Sequence, residues 1–242
     1  MAKIPHSPES IFEEFTQDVQ SVYNSDLTSI VLYGSGAKGE YVPKKSDINF
    51  LIVLSQKGIE NLDKALELIP KWQKRKVAVP LFLSKEYIAS ALDTFPIEFL
   101  DMKNAYKLVY GEDVLKDIEI KNDDLRHQVE RELRGKLLHL REGFLSTGNE
   151  RDDLRAMLAA SVSTFVSIFE GLLHLKGEKI PSTKAQIFEK TAELLGLQKN
   201  VLVQLINIKN GQWHGSKVQL QGIAKVFIGE IKKLVEIVDK RK

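Results

Sequence analysis

Cysteine is absent from this chain of 242 residues. Disulfides, thiolate catalysis and cysteine-based zinc sites are thereby excluded together, and any bound metal must be held by oxygen or by the 5 histidines. Long apolar runs are missing as well: no uninterrupted stretch approaches the ~20 residues of a membrane span, so no membrane association is expected. Nor is there a dominant charge, since 35 basic and 33 acidic side chains leave a net +2. Basic residues concentrate only at 71–76 and 240–242, where cations at solvated helix ends account for them, so nucleic acid is not an expected partner. Residues 1–10 show neither the basic nor the apolar region of a secretory signal, and Pro5 and Pro8 interrupt any transit helix, which makes the cytoplasm the expected location.

What is present is a globular composition, 43% apolar and 28% charged, in a length suited to two domains. The first half alternates helical and strand patterns; the second is helical in period almost throughout. The expected domains are 1–121, an α/β (α+β) domain on a small mixed sheet, and 122–242, an all-α helical bundle.

In the first, residues 8–24 place Ile11, Phe12, Phe15, Val19 and Val22 at helical spacing behind a Ser7 cap and Pro8. Short β-branched runs at 29–33 and 48–54 read as strands, 60–74 as a helix, and 77–83 as a third strand whose Pro80 implies an edge or a bulge. A short helix at 85–92, a strand at 96–102 and a helical turn at 105–109 complete it. In the second, helices are expected at 124–145, 150–175, 183–195, 199–209 and 218–238, with a capping-box signature at Thr183 and Gln186.

The informative stretch is VLYGSGAKGEYVPKKSDINFLIVL, residues 31–54. A strand ends in Gly34-Ser35-Gly36, a loop follows with Lys38, Lys44 and Lys45, and the chain re-enters the sheet at Asp47. Glycines let the main chain turn sharply and come close to a phosphate, and Ser35 offers a hydroxyl and an N–H to its oxygens. Asp47 and Asn49 lie two apart on a strand and leave it on one face, where both have oxygens able to coordinate Mg²⁺.

This pattern resembles the signature of the polymerase-β-like nucleotidyltransferases, of the minimal and kanamycin type. The resemblance implies Mg²⁺-dependent transfer of a nucleoside monophosphate from a nucleoside triphosphate to a hydroxyl acceptor of unknown identity. It assigns nucleotide binding to Gly34, Ser35, Gly36, Lys38 and Lys45, catalysis to Asp47, and one Mg²⁺ to Asp47 and Asn49. In that family three carboxylates hold two metal ions. Here position 49 is Asn and residues 77–83 contain no acid, which leaves Glu98 and Asp101 as later candidates for the third ligand. At an effective dielectric of about 20, a unit charge lost ~4 Å from the ion removes on the order of 4 kcal/mol per unit of metal charge. The alternative is therefore an inactive nucleotide-binding or protein-interaction module, with a second copy of the chain as one such partner.

The helical half resembles the HEPN-type domains that accompany such nucleotidyltransferases. HEPN ribonucleases use Arg, commonly followed by Asn, then His a turn later; residues 209–214 supply Asn210 and His214 but Lys209 in place of Arg, and Arg134 with His139 meets only the bare spacing. Lysine is a point charge without arginine's bidentate fork, so ribonuclease action is the weakest of the three functions.

Overall fold

Ile11, Phe15 and Val19 recur on one side of the first helix, and all three are buried. A computed structural model describes residues 3–239; the basic cluster at 240–242 lies outside the described residues. Pro8 opens a 3-10 turn, Pro8–Ile11, that runs into helix α1, Phe12–Tyr23. Ser7 caps with its backbone rather than its hydroxyl: its carbonyl accepts from Ser10 Oγ at 2.6 Å.

The sheet has four strands, β1 (Leu27–Tyr33), β2 (Asn49–Leu54), β3 (Leu81–Leu83) and β4 (Tyr106–Gly111), in the order β3-β2-β1-β4. β1 runs antiparallel to β2 and β4, and β2 parallel to β3, so the sheet is mixed. One face carries Ile30, Leu32, Phe50 and Ile52 onto Phe15, Val19 and Trp72. The other carries Val31, Leu51 and Val53 onto Ile88, Phe99, Met102, Leu115 and Ile118. Cover on both faces is why β1 and β2 read as continuous apolar runs rather than alternating ones.

Three local expectations are corrected. The helix expected at 60–74 is broken into α2 (Gln56–Ile59), a 3-10 turn (Leu62–Ala65) and α3 (Leu68–Gln73). Pro70 has no N–H to give and its ring crowds the carbonyl a turn earlier, so no helix runs unbroken through 66–70, and Leu66 is left 71% exposed. The third strand shrinks to β3 plus one bridge, Ile48 to Val77. Leu51 pairs with Leu81, so one extra residue is accommodated around Pro80, the bulge its missing N–H implies, on an edge strand.

Residues 96–109 invert the expectation: α5 (Pro96–Asn104) is the helix and β4 the strand. Pro96 sits at the first helical position, where its missing N–H costs nothing, while the aromatic and β-branched Tyr106 to Tyr110 pair along β1. Between β3 and α5, helix α4 (Lys85–Ala91) starts at Ser84, whose Oγ accepts from Tyr87 N at 3.1 Å.

The residues form two compact units: those up to Asp93 with Phe99–Ile120, and Thr94–Glu98 with those from Lys121 onward. Helix α5 is divided between them. The second unit is helical: α6 (Asn122–Ser146), α7 (Arg151–Leu175), α8 (Lys184–Leu195), α9 (Lys199–Lys209) and α10 (Lys217–Asp239). Thr183 Oγ1 accepts from Gln186 N at 3.3 Å and donates to Gln186 Oε1 at 3.0 Å, the capping-box exchange the sequence announces. Phe165 anchors the core, meeting Phe169 and Phe227 with ring centroids 5.8 and 5.3 Å away. Among the described residues α7 is the one helix long and apolar enough to cross a membrane, although its apolar residues form no uninterrupted run of that length; 61% of its most apolar window is buried within the protein.

Candidate functional site

The chain leaves β1 at Gly34 and enters β2 at Asn49, and these two points are adjacent because Tyr33 pairs with Asn49. Gly34 takes the left-handed conformation, φ +71°. Its carbonyl accepts from both Ala37 N and Lys38 N at 3.0 Å, and Ser35 O accepts from Glu40 N at 2.9 Å, which winds the loop into a tight turn. A Cβ at Gly34 would come within 3.2 Å of Asn49 Nδ2, so the Asn49 amide lies against the turn. Gly36 is buried, and a Cβ there would press on Pro8 and Leu32. The glycines thus serve two needs, backbone angle at Gly34 and close packing at Gly36.

Asp47 stands before β2, exposed, with Oδ1 3.4 Å from Lys76 Nζ. Lys76 follows α3 and also has a left-handed backbone, φ +67°. Its carbonyl accepts from Ile48 N at 2.8 Å, and Ile48 O accepts from Ala78 N at 2.9 Å, so the chain after α3 is stitched to β2 beside Asp47. A lysine in this conformation costs on the order of 1 kcal/mol against glycine. Read from sequence as part of a solvated helix end, Lys76 is the site residue that sequence reasoning missed. The available signal was its place directly before the third strand.

The remaining expected ligands go elsewhere. Leu81 shares the face of Leu51 and Asn49; it and Val79 are exposed apolar residues, so β3 brings no acid to this face. Asp101 is ion-paired to Lys38 at 2.6 Å, with both side chains largely covered. Glu98 Oε2 accepts from Gln128 Nε2 at 2.7 Å within the second unit, where Gln128 Oε1 also takes the N–H of Ile97. Lys45 lies exposed in the turn after Val42. Among the described residues no three His, Asp or Glu side chains are grouped to hold a metal ion. One carboxylate countered by an ammonium does not fit the arrangement of two divalent ions.

Beyond the Lys38–Asp101 pair stand two tyrosines on neighbouring strands, Tyr33 and Tyr106, paired in register. Burial, then the Asp101 charge, raises the Tyr33 phenol. Tyr106 donates to both oxygens of Asp113, at 2.9 and 3.0 Å, and its pKa is pushed up to about 12 by burial first, then by Asp113 and Asp117. A phenol that ionises at 10.0 when unfolded and at about 12 when folded stabilises the fold fully below pH 10, and that contribution is lost as pH rises through about 12. Tyr106→Phe is expected to cost about 1 kcal/mol near neutrality. It should also flatten the alkaline fall in urea midpoint; an unchanged alkaline profile in the variant would show that another group titrates there.

With this geometry in view, residues 11–106 match the family model described as nucleotidyltransferase domain. These residues are a nucleotidyltransferase domain. A solved structure of similar fold is that of spectinomycin adenyltransferase AAD(9) from Enterococcus faecialis with ATP and spectinomycin, at a TM-score of 0.55 and 14% identity, covering 94% of this chain and 100% of that one. At this identity the likeness is one of fold. A comparison with curated protein sequences finds no significant match.

In the helical unit, Lys209 and Arg134 have partners and His139 and His214 are exposed. Lys209 Nζ bonds Ser163 Oγ, and His214 is exposed beyond the end of α9. Arg134 is held by Glu130 at 3.0 Å and Asp239 at 3.2 Å, while His139 sits exposed beside Glu142.

Proposed function

We propose that the nucleotidyltransferase domain binds a nucleoside triphosphate at the Gly34–Gly36 turn, with Ser35 facing its phosphates and Asn49 bracing the turn from β2. The observation that carries this reading is the left-handed Gly34 wound around its own carbonyl and packed on Asn49, a glycine turn of the kind whose main chain can come close to phosphate oxygens. Lys38 contributes through its pair with Asp101, which fixes the following loop, and the exposed Lys45 is placed to meet an incoming polyanion.

Calorimetry with ATP, GTP, CTP and UTP tests the reading directly. Gly34→Ala, which forces a Cβ into a left-handed turn and against Asn49, is expected to weaken binding by about tenfold or more while costing about 1–2 kcal/mol of stability. Unchanged affinity in that variant would place the nucleotide elsewhere.

A second reading, transfer of a nucleoside monophosphate to a hydroxyl acceptor, has the fold neighbour in its favour, since that adenyltransferase was solved with ATP and spectinomycin. In it the acceptor oxygen attacks the α-phosphorus, the bond to the β-phosphate oxygen breaks, and pyrophosphate leaves. A single Mg²⁺ would have Asp47 and the Asn49 amide oxygen as protein ligands. Pyrophosphate release across a panel of hydroxyl acceptors separates this reading from binding alone, and release that survives Asp47→Ala unchanged would remove Asp47 from the chemistry.

A further inference from the structure

We infer that Lys76 is a tethered cation standing where a divalent ion would otherwise meet Asp47, and that nucleoside triphosphate binds this domain without a divalent metal. The inference rests on the nucleotide reading above. Three features lead to it. The Lys76 ammonium lies 3.4 Å from Asp47 Oδ1, while the other expected acids are held by different groups, Asp101 by Lys38 and Glu98 by Gln128. The ammonium charge partly offsets that of the ligand on which a divalent ion would depend and opposes the approach of such an ion, by an amount that solvent screening reduces.

The backbone also commits to this placement. Lys76 holds the left-handed conformation that glycine adopts at no steric cost, with its N–H on Gln73 O at 3.0 Å and its carbonyl on Ile48 N at 2.8 Å, so its Cα is fixed beside the entry to β2. Finally, the side chains of Lys76 and Asp47 are 40% and 58% exposed, so the ammonium reaches an anion arriving from solvent. The acids that a second ion would need are absent from this face: Asn49 is neutral, and Val79 and Leu81 are apolar and exposed. Phosphate oxygens beside Gly34 would then find one positive charge supplied by the chain itself.

The test is ATP binding by calorimetry in EDTA and in Mg²⁺, on the full chain and on Lys76→Gly, Lys76→Met and Lys76→Arg. Wild-type affinity in EDTA is expected within about threefold of that in Mg²⁺; the Gly and Met variants should lose about tenfold or more in EDTA, and Arg should retain affinity. Lys76→Gly relieves the left-handed strain, so an unfolding midpoint at or above wild type alongside weakened binding assigns the loss to the ammonium rather than to misfolding. Binding seen only with Mg²⁺, or undiminished in Lys76→Gly, overturns the inference while leaving the nucleotide reading in place. No binding in either medium overturns both.

Discussion

Gly111→Ala is expected to destabilise the first unit by about 3 kcal/mol or more, the largest effect of any single methyl group in the sheet. Gly111 ends β4 opposite Ser29 with φ +77°, a backbone conformation that L side chains rarely adopt. A Cβ there would overlap the carbonyl oxygen of Thr28, far inside the 3.0 Å that real Cβ atoms respect. That oxygen cannot swing aside cheaply, because it accepts the N–H of Glu112 at 3.2 Å and belongs to β1, the strand that leads into Gly34. Either β4 detaches from the edge of the sheet or β1 shifts along its length. Urea unfolding followed by far-ultraviolet circular dichroism measures the cost. A loss below about 1 kcal/mol would mean that the end of β4 moves independently of β1.

Trp72→Ala should cost about 3–5 kcal/mol, the range for removing a buried aromatic without collapse of the space. Trp72 is 2% exposed and meets Phe15 edge-on at 5.0 Å, while Phe15 stacks on Phe50 of β2 at 4.2 Å. Its indole N–H donates to Asp18 at 2.9 Å, and the Arg75 guanidinium lies 4.5 Å from the ring centroid. Trp72→Phe keeps the apolar contacts and loses the hydrogen bond, so about 1–2 kcal/mol is expected instead. The consequence reaches the site: Trp72 O accepts from Arg75 N at 2.9 Å and Val77 N at 3.1 Å, so the end of α3 that carries Lys76 is built on this residue. A drop in nucleotide affinity in Trp72→Ala, measured where the variant is still folded, would report that coupling. Equal costs for the Ala and Phe variants would show that packing contributes little at this position.

Much of the molecule was legible from local pattern. The helices of the second unit follow from apolar spacing and caps, and Thr183 with Gln186 form the box their spacing announces. β1 and β2 are legible because a run covered on both faces needs no alternation. The turn at Gly34–Gly36 is legible because Gly34 takes a left-handed backbone that few residues other than glycine tolerate. Residues 96–109 were not, since Ile97, Phe99, Leu100 and Met102 suit a strand or a helix almost equally, and the outcome rests on Tyr106 to Tyr110 finding β1 as a partner. The break at Pro70 had its signal in the chain, and the apolar spacing around it obscured that signal.

The sequence by itself determined the glycine turn between β1 and β2 and the lack of acids at 77–83, because each depends on residues close together in the chain. Only the tertiary structure decided what surrounds Asp47. Lys76 lies 29 positions further along, Asp101 comes from α5 to bind Lys38, and Glu98 turns to Gln128. Such pairings are set by where strands register and helices end, which is a property of the packed chain rather than of any local run of residues.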